Sequence, residues 1–436
     1  MTDIFTAASN GDLKRIKEMG KHFNDKFGEQ TAKEVLGAKD SSGRTILHIA
    51  ASGGRTPICK YLVETIKFDV NGKDLKGYTP LHNAVLEGHY MTSSFLLDHG
   101  AHPNMTSHDG STPLHYAAEK GRKDQVKLLI SKGAEVDAPS YSKGTPLRCA
   151  AAHGMKDVVK ILLDHKANPN SDSHPILTPL IVAILANSVD CVRLLLKNGA
   201  DPNLGLHGEK PLTVAVSEGN LEVIKCLLKA GADPNATNFY DLTPIEIAAM
   251  DGNLAVVTAL FDVTACVPNI PIWSCQGILE YINSQEAKNQ RGLKVETKFL
   301  EAKENGAQAF KTNDYITAIY WYTEAIRIKP KDATVFSNRS LCWSRMNEGD
   351  LALTDADYCI GLRPDWAKGY YRAGVARKML KDYKNAAAAF GNACKYDPFN
   401  KELQDAYSEA LADLQAPPMD DFSRLFADCV LNTGLK

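Results

Sequence analysis

The sequence predicts an all-α protein built as two successive helical solenoids, and two periods in the chain carry that expectation. A tetrapeptide of the form Thr-Pro-Leu-His recurs at spacings of 32 to 34 residues, as Thr45-Ile-Leu-His48, Thr79-Pro-Leu-His82, Thr112-Pro-Leu-His115, Thr145-Pro-Leu-Arg148, Thr178-Pro-Leu-Ile181, Lys210-Pro-Leu-Thr213 and Thr243-Pro-Ile-Glu246. Further on, Pro330, Pro364 and Pro398 each follow a helical pattern and stand 34 residues apart. Periods of this length mark solenoids, in which each repeat is one supersecondary unit that buries its apolar face against the next.

Taken in order, Ile4 to Met19 reads as a capping helix pair, with Asn10-Gly11-Asp12 as the turn and Leu13 and Ile16 facing inward. The polar stretch around Asn24 to Lys33 is expected to be a loop insertion. The seven tetrapeptides that follow identify ankyrin repeats, each a turn followed by two antiparallel helices. Proline belongs at the start of the first helix, where its missing N–H costs nothing. Endings such as Gly199-Ala-Asp-Pro-Asn203 and Gly231-Ala-Asp-Pro-Asn235 supply a left-handed cap and the following turn. Lys166 replaces the capping glycine, so repeat four is expected to end less cleanly. His48, His82 and His115 sit about 33 residues apart in separate repeats, which is not the local spacing of a zinc site, so they are expected to brace neighbouring turns. Lys76, Tyr78, Tyr141, Phe239 and Tyr240 fall on turn tips and are candidate contacts for a protein partner whose identity the sequence does not give.

Both periods lapse between Thr264 and about Val295, where Val267-Pro-Asn-Ile-Pro-Ile-Trp273 is apolar and broken by proline. Trp273 and its isoleucines are expected to cover the end of the first solenoid, and Gln276 to Ala287 to form one helix. The expected division is therefore 1–263, 264–295 as a helical junction, 296–415 as the second solenoid with its capping helix from Lys401, and 416–436 as a tail. In that tail, Asp421 to Leu431 is a short amphipathic segment carrying Phe422, Leu425 and Phe426.

The 34-residue period of the second solenoid is that of tetratricopeptide (TPR) repeats. Gly306, Ala318, Tyr322 and Ala325 fill the small and aromatic packing positions of the first repeat, and Gly374, Ala386, Phe390 and Ala393 those of the third. The second is degenerate but in phase, with Ser340, Ala352, Ala356 and Cys359. Counting Phe299, Ala333 and Ala367 as position one, Lys303 falls at position five, Asn338 at six, and Lys368 and Arg372 at two and six. These positions share one face of a first helix, and first helices line the concave surface of such a stack. Lys311 and Arg345, both at position thirteen, extend the basic face as possible groove contacts. Two lysines, an arginine and an amide on one groove suit a carboxylate-bearing peptide, since arginine forks onto carboxylate and lysine adds a compact charge.

The segments Lys303-Glu-Asn-Gly-Ala307, Phe336-Ser-Asn338-Arg-Ser340 and Asp365-Trp-Ala-Lys368-Gly-Tyr-Tyr-Arg372 resemble the dicarboxylate-clamp TPR domains of heat-shock co-chaperones such as Hop and CHIP. The resemblance implies that Lys303, Asn338, Lys368 and Arg372 hold the acidic carboxy-terminal tail of a cytosolic heat-shock chaperone. The fifth clamp residue of that family is an asparagine one turn after the first lysine, and this chain has Ala307 there. A hydrogen bond to a charged group is worth roughly 1.5–3 kcal/mol. Its loss weakens a peptide by about tenfold to a hundredfold.

Composition narrows the remaining classes. The chain is 44% hydrophobic and 23% charged, as folded proteins are, and a formal charge of −2 provides no global field toward nucleic acid or an anionic membrane. From Glu296 to Pro398 basic residues outnumber acidic ones by 16 to 13, so positive charge collects in the second solenoid. The longest apolar run, Leu180 to Ala186, is far short of a membrane span. Ten cysteines occur singly with no C-x-x-C pair, and no secretory signal opens the chain, so a cytoplasmic or nuclear setting with reduced thiols is expected. No glycine-rich phosphate loop, H-E-x-x-H helix or G-x-S-x-G elbow occurs, and no cofactor or metal is expected. The sequence thus reads as a non-enzymatic adaptor, with a chaperone-independent scaffold as the alternative.

Overall fold

The structure is a computed structural model, and it describes residues 2–140, 142–171, 177–205 and 210–415. Among the described residues it is all helix and turn, apart from one isolated bridge between Ser140 and Gly144. The chain divides into two compact units, Met1–Ala287 and Lys288–Lys436.

The first unit contains seven helix pairs in register with the tetrapeptides. Pro80–Leu86 with Tyr90–Asp98 and Pro113–Glu119 with Lys123–Ser131 are typical, and Pro244–Met250 with Leu254–Phe261 is the last. Each proline after the first repeat occupies the opening helical turn, as its fixed φ favours. Leu81, Leu114, Leu147, Leu180 and Leu212, one from each successive repeat, are at most 1% exposed and form a continuous spine.

His48, His82 and His115 stitch this stack together. Each accepts a hydrogen bond at Nδ1 from the backbone N–H of the threonine three residues earlier, at 3.2, 3.1 and 3.0 Å. Each places Nε2 against a carbonyl of the next turn, Tyr78 at 3.1 Å, Ser111 at 3.3 Å and Gly144 at 3.0 Å. Burial pulls the His82 and His115 pKa values down to about 4, so both rings are neutral and bridge as donor and acceptor. In repeat four Arg148 does the same work, with Nε on the Leu177 carbonyl at 3.1 Å and Nη1 on the Lys143 carbonyl at 2.8 Å.

Three local expectations change. The polar stretch around Asn24 to Lys33 is helical: Leu13–Phe27 runs on through it and Glu29–Leu36 follows after Gly28, whose φ of 87° makes the turn. Asn24, Asp25, Lys26 and Lys33 are exposed on these helices, so their polarity is that of a solvated helix face and not of a loop. Lys166 closes repeat four as cleanly as glycine closes the repeats before and after it. Its N–H bonds the Leu163 carbonyl at 3.0 Å, matching Gly199 to Leu196 at 3.2 Å, and it does so at a strained φ of 68°. Finally, Gln276 to Ala287 is not one helix. Ser284 ends Cys275–Asn283 in an extended conformation and its hydroxyl accepts from Ala287 N at 3.2 Å, so the serine caps the next helix.

The end of the first unit is covered as expected by Trp273, stacked on Phe261 with ring centroids 5.7 Å apart, and by Ile270, which is 4% exposed. Ile272 is different and points outward, 63% exposed. Asn283 donates to the Ala249 carbonyl at 3.2 Å, tying Cys275–Asn283 to the last repeat.

In the second unit, Gln285–Lys311 pairs with Tyr315–Ile328, Ala333–Arg345 with Gly349–Leu362, and Ala367–Met379 with Tyr383–Tyr396, and Lys401–Gln415 packs on the last pair. A Cβ on Gly306 would stand 2.7 Å from Tyr322, and one on Gly374 2.6 Å from Phe390, so glycine sets how closely these helices approach. Ser340 stands at the equivalent place in repeat two, where its buried hydroxyl donates to the Ala352 carbonyl at 2.7 Å. The degenerate repeat thus replaces a bare backbone approach with a hydrogen bond. The turns inside the three pairs also keep the period: Asn313, Asn347 and Lys381 all take φ near +61°.

Candidate functional site

The first helices of the three TPR pairs are Gln285–Lys311, Ala333–Arg345 and Ala367–Met379, and first helices line the concave face of such a stack. Helical spacing places Lys368 and Arg372 one turn apart on the third of these. Asn338 and Arg345 lie two turns apart on the second, and Lys303 lies on the first.

Arg372 is the anomaly of the site. It is only 9% exposed, its Nε is buried with no acceptor, and it makes no hydrogen bond or ion pair with any described residue. Its guanidinium lies 5.7 Å from the Tyr371 ring centre. Burial holds its pKa below the ordinary arginine value, against the pull of Tyr371 and Glu402. The neighbouring Cys342 and Cys359 are buried thiols pushed up to about 12 and about 11, so they supply no counter-charge. A buried guanidinium costs free energy unless a carboxylate or similar acceptor meets it.

Lys368 is exposed, has no carboxylate partner among the described residues, and is held below its ordinary pKa by burial of its stem and by repulsion from Arg372. Arg345 is exposed and its charge also reaches Arg372. Asn338 is half-buried and bonds the Tyr322 hydroxyl. Lys311 is exposed, further along the first helix. The charges of Lys368 and Arg345 thus both act on Arg372, which makes no ion pair with a described residue.

Lys303 is placed differently. Its Nζ donates to Thr334 Oγ1 at 2.8 Å, stands 3.7 Å from an Asp332 carboxylate oxygen and lies 5.4 Å from the Phe299 ring centre. Asp332 is the N-cap of Ala333–Arg345, accepting from the Thr334 and Val335 backbone at 2.9 and 3.3 Å. Burial pushes that carboxyl up, but the Thr334 hydroxyl, the Lys303 charge and the cap hydrogen bonds outweigh it and hold it below the usual carboxylate value.

Two groove residues escaped the sequence reading. Thr334 falls at position two of the second repeat, and Glu402 stands 34 residues past Lys368, in the same phase, in the capping helix. Extending the frame one repeat further would have found Glu402. Its carboxylate accepts from Tyr371 Oη at 3.0 Å and is the negative charge nearest Arg372 in electrostatic effect.

The ankyrin tips divide. Lys76 is exposed and its carbonyl accepts from His108 N at 2.9 Å. Tyr78 is half-buried, stacked on His82 at 5.7 Å and bonded by Tyr116 Oη at 3.3 Å, so it braces adjacent turns. Phe239 is buried at 8% exposure against Tyr240 and packs instead of presenting a surface. Tyr240 is partly exposed. Tyr141 lies outside the described residues, as does the amphipathic tail segment from Asp421.

A family model described as ankyrin repeats (3 copies) matches in five overlapping stretches, 4–107, 94–173, 140–205, 170–238 and 206–271, which together take in more than half of the chain. The chain belongs to the ankyrin-repeat family. This ankyrin-repeat protein also matches, over residues 278–373, a model described as serine/threonine-protein kinase BSK1-like, TPR repeats. The ankyrin array is therefore followed by TPR repeats. Among curated relatives, the Hsp70-Hsp90 organizing protein of Triticum aestivum is 38% identical over 124 residues, which is 28% of this chain and 21% of that protein. The heat shock protein STI1 of Saccharomyces cerevisiae is 34% identical over 140 residues, 31% of this chain and 24% of that protein. The chain thus spans about a fifth to a quarter of the length of these relatives. Among solved structures, the human ASB11 ankyrin repeat domain aligns over 51% of this chain and 100% of its own, at 31% identity and a TM-score of 0.47. No described helix is long and apolar enough to cross a membrane.

Proposed function

We propose that this ankyrin-repeat protein is a non-enzymatic adaptor of the co-chaperone type, working in the cytoplasm. Its TPR groove takes the acidic carboxy-terminal tail of a heat-shock chaperone, while the ankyrin array holds a client or regulatory protein. The observation that carries this reading is Arg372, a buried guanidinium whose Nε has no acceptor among the described residues, set beside Lys368, an ammonium with no carboxylate partner among them. Two cations kept unpaired on a concave face are satisfied by a carboxylate from outside, and arginine offers it a two-point fork. Asn338 lies at the same phase as Arg372 with its side chain bonded to the Tyr322 hydroxyl, and Arg345 adds positive charge near Arg372. The relatives named as Hsp70-Hsp90 organizing proteins support a chaperone tail as the source of the acidic peptide.

Ala307 favours a second reading, in which the same groove serves a chaperone-independent scaffold and takes another acidic peptide. Calorimetric titration of the full chain with a peptide ending in Glu-Glu-Val-Asp tests the first reading. Micromolar binding, lost in Lys368→Ala and Arg372→Met, is the expected result. Absence of heat with a folded protein rejects it, and binding of acidic peptides unrelated to chaperone tails with equal strength favours the scaffold.

A further inference from the structure

The two halves of the groove are in opposite electrostatic states. At one end Lys303 has partners within the fold: it donates to Thr334 Oγ1 at 2.8 Å and is offset by Asp332 at 3.7 Å, while Asp332 is occupied as the N-cap of the next helix. The Thr334 hydroxyl also donates to Asp332, so lysine, hydroxyl and carboxylate form one closed network. A free peptide terminus arriving there would meet the Asp332 charge and, one turn on, the bare methyl of Ala307. At the other end neither Arg372 nor Lys368 makes an ion pair with a described residue, and Glu402, the carboxylate whose charge acts on Arg372, makes its hydrogen bond with Tyr371.

We infer that the anion subsite of this groove is Lys368 with Arg372 alone, that Lys303 is a positioning residue holding the Asp332–Thr334 cap, and that the ligand feature read is an acidic side chain within a peptide, not a free chain terminus. The inference rests on the acidic-peptide reading of the groove and specifies which carboxylate is recognised. A glutamate or aspartate side chain brings one carboxylate to the guanidinium fork while the main chain on both sides stays neutral. Nothing then has to displace Lys303 from its network. The positive field of Arg345 lies toward the same end, so further acidic residues of the ligand belong on that side.

The test uses the full chain and three labelled probes: a peptide ending in Glu-Glu-Val-Asp, the same peptide with an amidated terminus, and a free-terminus version with both glutamates changed to glutamine. Fluorescence anisotropy gives Kd and a thermal melt gives Tm for the unaltered chain and for Lys303→Met, Lys368→Met and Arg372→Met. Amidation is expected to change Kd by less than about threefold and the glutamine substitutions by more than about tenfold. Lys303→Met is expected to change Kd by less than about threefold while lowering Tm, because its role is in the cap. Arg372→Met is expected to weaken binding more than about tenfold while raising Tm, which separates lost recognition from lost folding. A tenfold loss on amidation overturns the inference and leaves the acidic-peptide reading standing. So does a Lys303→Met defect in Kd as large as that of Arg372→Met. Failure of all three probes to bind a folded protein overturns both.

Discussion

Arg339 and Asp355 face each other across the two helices of the second TPR repeat in a two-point ion pair, Nε to Oδ2 at 2.8 Å and Nη2 to Oδ1 at 2.7 Å. The guanidinium also donates to Thr323 Oγ1 at 2.9 Å, so the pair ties repeat two back to repeat one. The Asp355 side chain is 3% exposed. Replacing Arg339 with alanine leaves that carboxylate buried and unpaired, a change that costs roughly 3–5 kcal/mol. Chemical denaturation of the full chain, followed by fluorescence of Trp321 and Trp343 in the TPR unit, should show the loss. A shift below about 1 kcal/mol would show the pair to be solvated.

Arg372 makes the opposite prediction. It is more deeply buried than Arg339 but has no carboxylate partner among the described residues, so its charge opposes folding. Arg372→Met keeps the stem volume and removes the charge, and the melting temperature of the TPR unit should rise by about 2 °C or more. A fall in Tm would mean that the guanidinium contributes to the fold and is not held in reserve for a ligand.

The left-handed lysines offer a gain in stability. Lys166 and Lys381 adopt φ of 68° and 61°, where the neighbouring ankyrin repeats have Gly133 and Gly199 and the other TPR pairs have Asn313 and Asn347. A non-glycine residue in that region costs roughly 1–2 kcal/mol. Glycine also loses more conformational entropy on folding, so Lys166→Gly and Lys381→Gly should each stabilise by about 1 kcal/mol. Differential scanning calorimetry of the single and double variants measures it, and additivity is expected because the two turns lie in separate units.

Stability should fall with acidity through the ankyrin histidines. His82 and His115 have folded pKa values of about 4, below the unfolded value of 6.5. The unfolded chain therefore binds protons that the folded chain refuses, and stability present above pH 6.5 is lost as pH falls from there toward 4. At pH 5 the two rings together should cost on the order of 4 kcal/mol. Urea unfolding of the full chain at pH 7.5 and pH 5, read by far-UV circular dichroism, tests this. Equal midpoints would mean that the rings are already protonated or exposed in the native state.

The fold was legible because both repeats record their own geometry. Proline at the first helical turn, glycine where Tyr322 or Phe390 crowds the backbone, and threonine three residues before histidine each answer a constraint inside one repeat, and the period copies that constraint along the chain. The polar stretch around Asn24 to Lys33 was misread because a solvated helix face and a loop have similar composition. Ser284 was missed because a single serine ends one helix and starts another only when the backbone between them turns.

The sequence by itself determined the two solenoids, the phase of their repeats and the face on which Lys303, Asn338, Lys368 and Arg372 lie, because periodicity is a property of one chain read along its length. Only the tertiary structure decided which of these charges are free. Lys303 is matched by Thr334 and Asp332, 31 and 29 positions away in sequence, whereas Arg372 is buried among side chains that supply no acceptor. Whether a charge is paired depends on what the neighbouring repeat places within a few ångströms of it, and on how much water is left there. Spacing along the chain fixes neither.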